Sequence, residues 1–206
     1  MENLAPTECP VHELIARRWS PRAFANRPVN PATLRQLFEA ARWAASSYND
    51  QPWYYLVARH ENPAEYQKML ACLVEFNQAW AKAAPVLAIS VARSKFQNDG
   101  SANRHALHDV GAASALLSVQ ATALGLAVHQ MAGFDPERAR QTYKVPLEFE
   151  PVAAMAIGYP GDPAGLPDKL RERETAPRMR KRASEFVFSG NWGAVAPFVS
   201  PPQKQG

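Results

Sequence analysis

Residues 106–126, ALHDVGAASALLSVQATALGL, decide how the rest of the chain is read. After Asp109 the stretch carries no charge, and small or apolar residues occupy almost every side of the helix it would make. A helix with no solvated face has to be covered all round, by its own subunit or by a second one. Its Ala and Ser residues also let backbones or a flat ligand approach closely. The expectation is a central helix about which one core is built, with function at its ends.

Outward from it, Asn30-Pro31, Asn62-Pro63 and Asp135-Pro136 each place a capping side chain before a proline, a strong helix start. From Pro31 the residues Leu34, Leu37, Phe38, Ala41 and Ala45 recur at helical spacing. From Pro63 the stripe Tyr66, Met69, Leu70, Leu73 and Trp80 predicts one helix up to the stop at Pro85. Asn77 falls on that buried stripe and must hydrogen-bond to backbone or to a ligand. An early helix, about 11–18, ends at Ser20-Pro21 because the residue before proline avoids the helical region. Runs 53–59, 86–92, 127–131 and 152–159 read as strands. The polar, aperiodic RSKFQNDGSANR at 93–104 reads as a loop of a length that often covers a site. Strands alternating with helices suggest by themselves a parallel α/β sheet.

A chain of 206 residues fits a single domain, 1–206, able to bury roughly 70% of its unfolded surface without disulfides. Cys9 and Cys72 show no metal or redox spacing, and the N-terminus MENLAPTECP has no signal-peptide pattern, so a soluble, cytoplasmic protein is expected. No run is apolar enough to favour lipid, and no membrane partner is expected. The tail 186–206 is aromatic yet rich in Gly and Pro. It reads as an arm lying on another surface, expected to be a partner subunit, with 201–206 mobile.

The net charge of +4 is unevenly placed, near Arg17–Arg27 and again over 169–182. Such clusters suit a phosphate-bearing partner, although charge alone favours a solvated basic surface. No G-x-G-x-x-G or phosphate loop is present, and His105 and His108 lack further ligands, so no metal is expected. No nucleophile elbow is visible either, so the chemistry of an enzyme here would reside in a bound cofactor. Two polar constellations remain. In Arg17-Arg18-Trp19-Ser20-Pro21-Arg22 guanidinium groups flank a hydroxyl and can grip a phosphate. In Ser46-Ser47-Tyr48-Asn49-Asp50-Gln51 hydroxyls and amides can bond the edge of a heterocycle, or simply form a turn.

Taken in order, RRWSPRAF, AASSYNDQPW, DVGAASALLSVQATALGLAVHQMAGF and RKRASEFVF resemble the nitroreductase family of FMN-dependent oxidoreductases, from about Ile15 to Trp192. The resemblance implies an α+β fold with a central mixed β-sheet surrounded by helices, in an intertwined homodimer. It implies bound FMN, NAD(P)H as electron donor and a small-molecule acceptor such as a nitroaromatic or quinone, reached by a ping-pong order. It assigns the phosphate to Arg18, Ser20 and Arg22, with Arg17 beside them, and to Arg180 and Arg182, with Lys181 adjacent. Ser46, Ser47, Asn49 and Gln51, from the second subunit, are implied at the ring and ribityl chain. Asn77 and Gly133, within Met131-Ala132-Gly133, are implied near the ring.

Trp19, Ala45 and Ala132 depart from common family residues without removing a phosphate cation. The rival readings are a flavin-dependent dehalogenase or flavin-destroying relative, and a basic module for nucleotides or nucleic acid. The resemblance favours neither, and no nucleic-acid partner is expected.

Overall fold

A computed structural model describes residues 3–199. Among these described residues the α-helices are α1 (Glu13–Arg17), α2 (Pro31–Arg42), α3 (Pro63–Ala71), α4 (Glu75–Ala81), α5 (Ala106–Ala123), α6 (Pro136–Tyr143) and α7 (Asp168–Thr175). Four strands are β1 (Trp53–Arg59), β2 (Val86–Arg93), β3 (Ala127–Met131) and β4 (Phe149–Gly158). The three expected caps all form: Asn30 accepts from the Thr33 amide at 2.8 Å, Asn62 from Glu65 at 3.4 Å and Asp135 from Arg138 at 2.9 Å. Each is followed by its proline, whose missing N–H costs nothing in the first turn.

The sheet has the order β1-β2-β4-β3, and every pairing is antiparallel. This corrects both the parallel sheet suggested by the alternation of elements and the mixed sheet implied by the resemblance. The strands joined by α5, β2 and β3, do run in the same direction. They never touch, because β4 inserts between them and pairs antiparallel with both.

β2 is buried on both faces, and its alternation separates two cores. Val86 and Ala88 join Leu34, Leu37, Ala113 and Leu117 beneath α2 and α5. Leu87, Ile89 and Val91 join Tyr66, Met69 and Trp80 beneath α3 and α4. Burying a side chain such as Leu37 or Leu117, neither exposed at all, stabilises the fold by about 1.5–3 kcal/mol.

Two expectations change. The helix predicted from Pro63 to Pro85 is broken at Cys72–Val74, because the backbone there finds better partners outside the helix. Asp135 donates to the Cys72 carbonyl at 2.8 Å, Val74 donates to that of Gly133 at 3.1 Å, and Leu73 bridges Phe134. The helix α5 is not enclosed by its own chain. Val110, Ala113, Leu117 and Ala121 are buried, whereas Leu107 and Leu116 are 50% and 40% exposed, beside exposed Gly111 and Ala115. An apolar stripe along the central helix is left bare in the single chain.

Among the described residues no helix is long and apolar enough to cross a membrane, and Cys9 and Cys72 are both free thiols. The described part of the arm folds back on itself, with Phe188 bridging Val195 and its ring 5.4 Å from that of Trp192. Phe186, Trp192 and Phe198 remain exposed. The expectation for 201–206 lies outside the described residues.

Candidate functional site: a cationic cavity and a glycine cradle

The chain leaves α1 at Arg18 in an extended conformation and runs on non-helically into Ser20-Pro21, where the proline keeps Ser20 out of the helical region. It is then pinned to the sheet, with Nδ1 of His129 on β3 donating to the Pro21 carbonyl at 2.9 Å. The polypeptide returning from α7 lies against it. Arg18, Ser20, Arg22, Glu174, Arg178 and Arg180 line one cavity of about 270 Å³. Sequence positions near the two ends of the chain thus line one cavity.

Within the cavity Arg18 Nη1 donates to Ser20 Oγ at 3.3 Å. Burial lowers the Arg18 pKa, and the neighbouring Arg180 charge lowers it further. Arg178 is lowered in the same way, first by burial and then by Arg18 and Arg180. Like charges thus stand close together, and an anion entering the cavity would relieve their repulsion. Burial pushes the His129 imidazole down to about 4 although the Pro21 carbonyl opposes the shift. It is therefore neutral at pH 7 beside the arginines.

Arg178 was not anticipated as distinct from its basic neighbours. It reaches the carbonyls of Asn3, Ala16 and Arg18 at 2.7, 2.9 and 2.8 Å, a strut that ties the N-terminal segment to the motif. The spacing of the run 169–182 does not distinguish it, because its partners are backbone atoms far away in sequence. Arg182 lies outside the cavity, 3.1 Å from Glu8 and beside a separate cavity formed with residues 5–11. Arg17 faces Thr122 and Gly125 at the end of α5, in a small cavity that it shares with Trp19.

The second feature is the end of β3. Met131 is buried, Ala132 exposed and Gly133 half-buried. Asn77 Nδ2 donates to the Gly133 carbonyl at 2.9 Å, and Asn77 Oδ1 accepts from Trp80 Nε1 at 3.3 Å. A Cβ at position 133 would collide with the Asn77 amide and would stand 3.1 Å from Val74 Cγ2. The break between α3 and α4 therefore serves the site, since it carries Asn77 onto Gly133. From His129 to Gly133 the strand spacing gives about 13 Å between the cavity side and this cradle.

The third feature, residues 46–51, is both a turn and a strained one. Ser46 Oγ accepts from the Gln51 amide at 3.1 Å and Gln51 Nε2 donates to the Asn49 carbonyl at 3.0 Å. Tyr48, Asn49 and Gln51 have φ of 53°, 54° and 51°, left-handed values that cost non-glycine residues energy. Buried carboxylates hold the turn in place. Asp109 in the first turn of α5 accepts from the Ser47 amide at 3.0 Å, and Asp50 accepts from Gln97 and Asn103 of the 93–104 loop. The side chains of Asn49 and Gln51 are left exposed.

Ser47 is thus fixed at one end of α5, while Arg17 and Trp19 line a small cavity with Thr122 and Gly125 at the other. The helical rise puts roughly 20 Å between Asp109 and Thr122. One chain does not bring the two constellations together. Among the described residues no group of His, Cys, Asp or Glu could hold a metal, and His105 and His108 gain no third ligand.

Residues 15–159 match the profile of the Nitroreductase family. An uncharacterized 15.4 kDa protein of Mycolicibacterium smegmatis, from the ask 5′ region, is 38% identical over 124 residues, spanning 60% of this chain and 82% of its own. A Streptomyces coelicolor protein provisionally named an NADH dehydrogenase/NAD(P)H nitroreductase is 30% identical over 162 residues, 68% of this chain and 78% of its own. The crystal structure of an oxidoreductase containing FMN superposes with a TM-score of 0.88 at 34% identity, covering 94% of this chain and 98% of that one. A nitroreductase family protein from Clostridium difficile 630 shares the fold, with a TM-score of 0.67 at 23% identity over 86% of this chain and 96% of its own. Matched by the profile over most of its length and by these relatives, the chain belongs to the nitroreductase family.

Proposed function

We propose that the chain is an FMN-dependent oxidoreductase that passes a hydride from NAD(P)H to a small nitroaromatic, quinone or similar conjugated acceptor. It acts as a homodimer in the cytoplasm, the compartment that suits its two free thiols. The observation that carries this reading is the convergence of Arg18, Ser20, Arg22 and Arg180 on one cavity. FMN ends in a phosphate of about two negative charges, and this donor set fits it: guanidinium forks, a hydroxyl and a local surplus of positive charge.

The cavity has the size of a phosphate with part of its chain rather than of a whole flavin, so the ring belongs outside it. The Gly133 cradle lies in the right direction along β3. Its missing Cβ lets the Asn77 amide close onto the peptide, and Asn77 holds that peptide in place for a ring lying over it. Ser46, Ser47, Asn49 and Gln51 would meet the ring and ribityl chain of the other subunit's FMN, since they stand at the far end of α5 from their own cavity. The bare stripe Leu107, Gly111, Ala115 and Leu116 supplies an apolar surface for that second copy. The aromatic arm would cover more of it.

When bound, FMN would supply hydride transfer between the nicotinamide donor and the conjugated acceptor, in a ping-pong order. The chain's own part is to hold the phosphate through Arg18, Arg22 and Arg180, orient the ring with Gly133 and Asn77, and exclude water by dimer closure. None of its residues has to act as a general base. The test is direct. The purified protein is expected to be yellow, and its oxidised-flavin absorbance to bleach anaerobically with NADH or NADPH. A folded protein that takes up no FMN overturns the proposal, and a yellow one that neither nicotinamide bleaches overturns the donor.

A further inference from the structure

Among the arginines of the cavity stands a carboxylate. The side chain of Glu174, on α7, is completely buried. Its Oε1 accepts from the backbone amides of Arg22 and Ala23 at 2.7 and 2.9 Å. Its Oε2 is 3.6 Å from Arg22 Nη1, too far for a hydrogen bond, and has no hydrogen-bond partner. A buried carboxylate with an oxygen left unsatisfied is costly, so its position calls for a reason beyond packing.

The other groups suggest that reason. Arg178 is committed to three backbone carbonyls, Arg18 to Ser20, and Arg180 to the Met179 carbonyl. The Arg22 guanidinium is 23% exposed and has the loose ion pair with Glu174. Two actions of Glu174 on an incoming anion are therefore opposed. Through Oε1 it fixes the backbone that carries Arg22, which favours binding. Through its charge it restrains the Arg22 guanidinium and repels an anion, which disfavours binding.

We propose that Glu174 is a positioning residue that sets how tightly the cavity holds a phosphate monoester, fixing the Arg22 backbone with one oxygen while restraining the Arg22 guanidinium with the other. The flavin reading is needed only to identify the monoester as FMN. The retained charge keeps the cluster from flying apart when no anion is bound, at the expense of affinity when one is.

The two actions separate by substitution. Glu174→Gln keeps an acceptor for both amides and removes the charge, whereas Glu174→Ala removes both. FMN binding is followed by fluorescence quenching at low salt, riboflavin serves as the control lacking a phosphate, and inorganic phosphate binding is followed by calorimetry. Glu174→Gln is expected to bind FMN and inorganic phosphate several-fold more tightly than wild type, with riboflavin unchanged. Glu174→Ala is expected to bind FMN roughly tenfold more weakly. Variants that shift phosphate affinity in the same direction, or not at all, overturn the role given to Glu174. A wild-type chain that binds inorganic phosphate but not FMN overturns the flavin reading alone, and the phosphate affinities of the variants still decide this one. A folded wild-type chain that binds neither overturns both.

Discussion

The side-chain amide of Asn77 donates to the carbonyl oxygen of Gly133 at 2.9 Å, locking the start of α4 to the end of β3. Gly133→Ala forces its methyl against that amide. The variant is expected to lose about 1–3 kcal/mol of stability and to retain much less FMN per chain after gel filtration. Thermal unfolding and flavin absorbance measure the two effects.

Arg18 and Arg182 separate the cavity from the rest of the basic surface. Arg18→Ala removes a half-buried guanidinium from the cavity and is expected to weaken FMN binding by about tenfold or more. Arg182 pairs instead with Glu8 at the surface, so Arg182→Ala is expected to change it by less than about threefold. Fluorescence titration of both variants checks the ranking; equal losses would place Arg182 in the phosphate site.

His129 makes stability depend on acid. Its pKa, about 4 in the folded chain, is well below the ordinary 6.5, chiefly because it is buried. The unfolded chain therefore takes up a proton between these values that the folded chain refuses. The His129 contribution is complete above pH 6.5 and is lost as the pH falls toward 4, with a slope of at most about 1.4 kcal/mol per pH unit. Denaturant unfolding at pH 7 and pH 5 is expected to show a larger loss for wild type than for His129→Gln.

The bare stripe of α5 makes a prediction about assembly. Leu116→Glu puts a charge on a surface that the account covers with a second subunit. Sedimentation is expected to show a shift toward monomer, accompanied by loss of FMN. A dimer unaffected by the substitution would place the interface elsewhere.

Much of the fold was legible because its signals are local. Asn62-Pro63 starts α3 wherever it stands, and the run 127–131 is bounded as a strand by its own neighbours. The break at Cys72–Val74 was not legible. The apolar stripe continues through it, and the backbone partners that end the helix come from residues 133–135. The strand order is hidden for a similar reason, since the insertion of β4 between β2 and β3 is a tertiary choice. In the candidate site, Arg18, Ser20 and Arg22 stand together in one short motif, and the resemblance is what singles them out. Glu174 and Arg178 do not, because their meaning lies in backbone atoms of residues 3–23 that they reach from the other end of the chain.

Each flavin site is proposed to join a cation cavity from one chain with the 46–51 turn of the other. Complementation tests this arrangement most directly. Arg18→Ala and an Asn49→Ala/Gln51→Ala double variant, each carrying a different affinity tag, are purified alone and as the mixed dimer, and bound FMN is counted. Both homodimers are expected to be depleted of flavin, while the mixed dimer, which pairs one intact cavity with one intact turn, recovers one tightly bound FMN. A mixed dimer as depleted as its parents would contradict the two-chain arrangement.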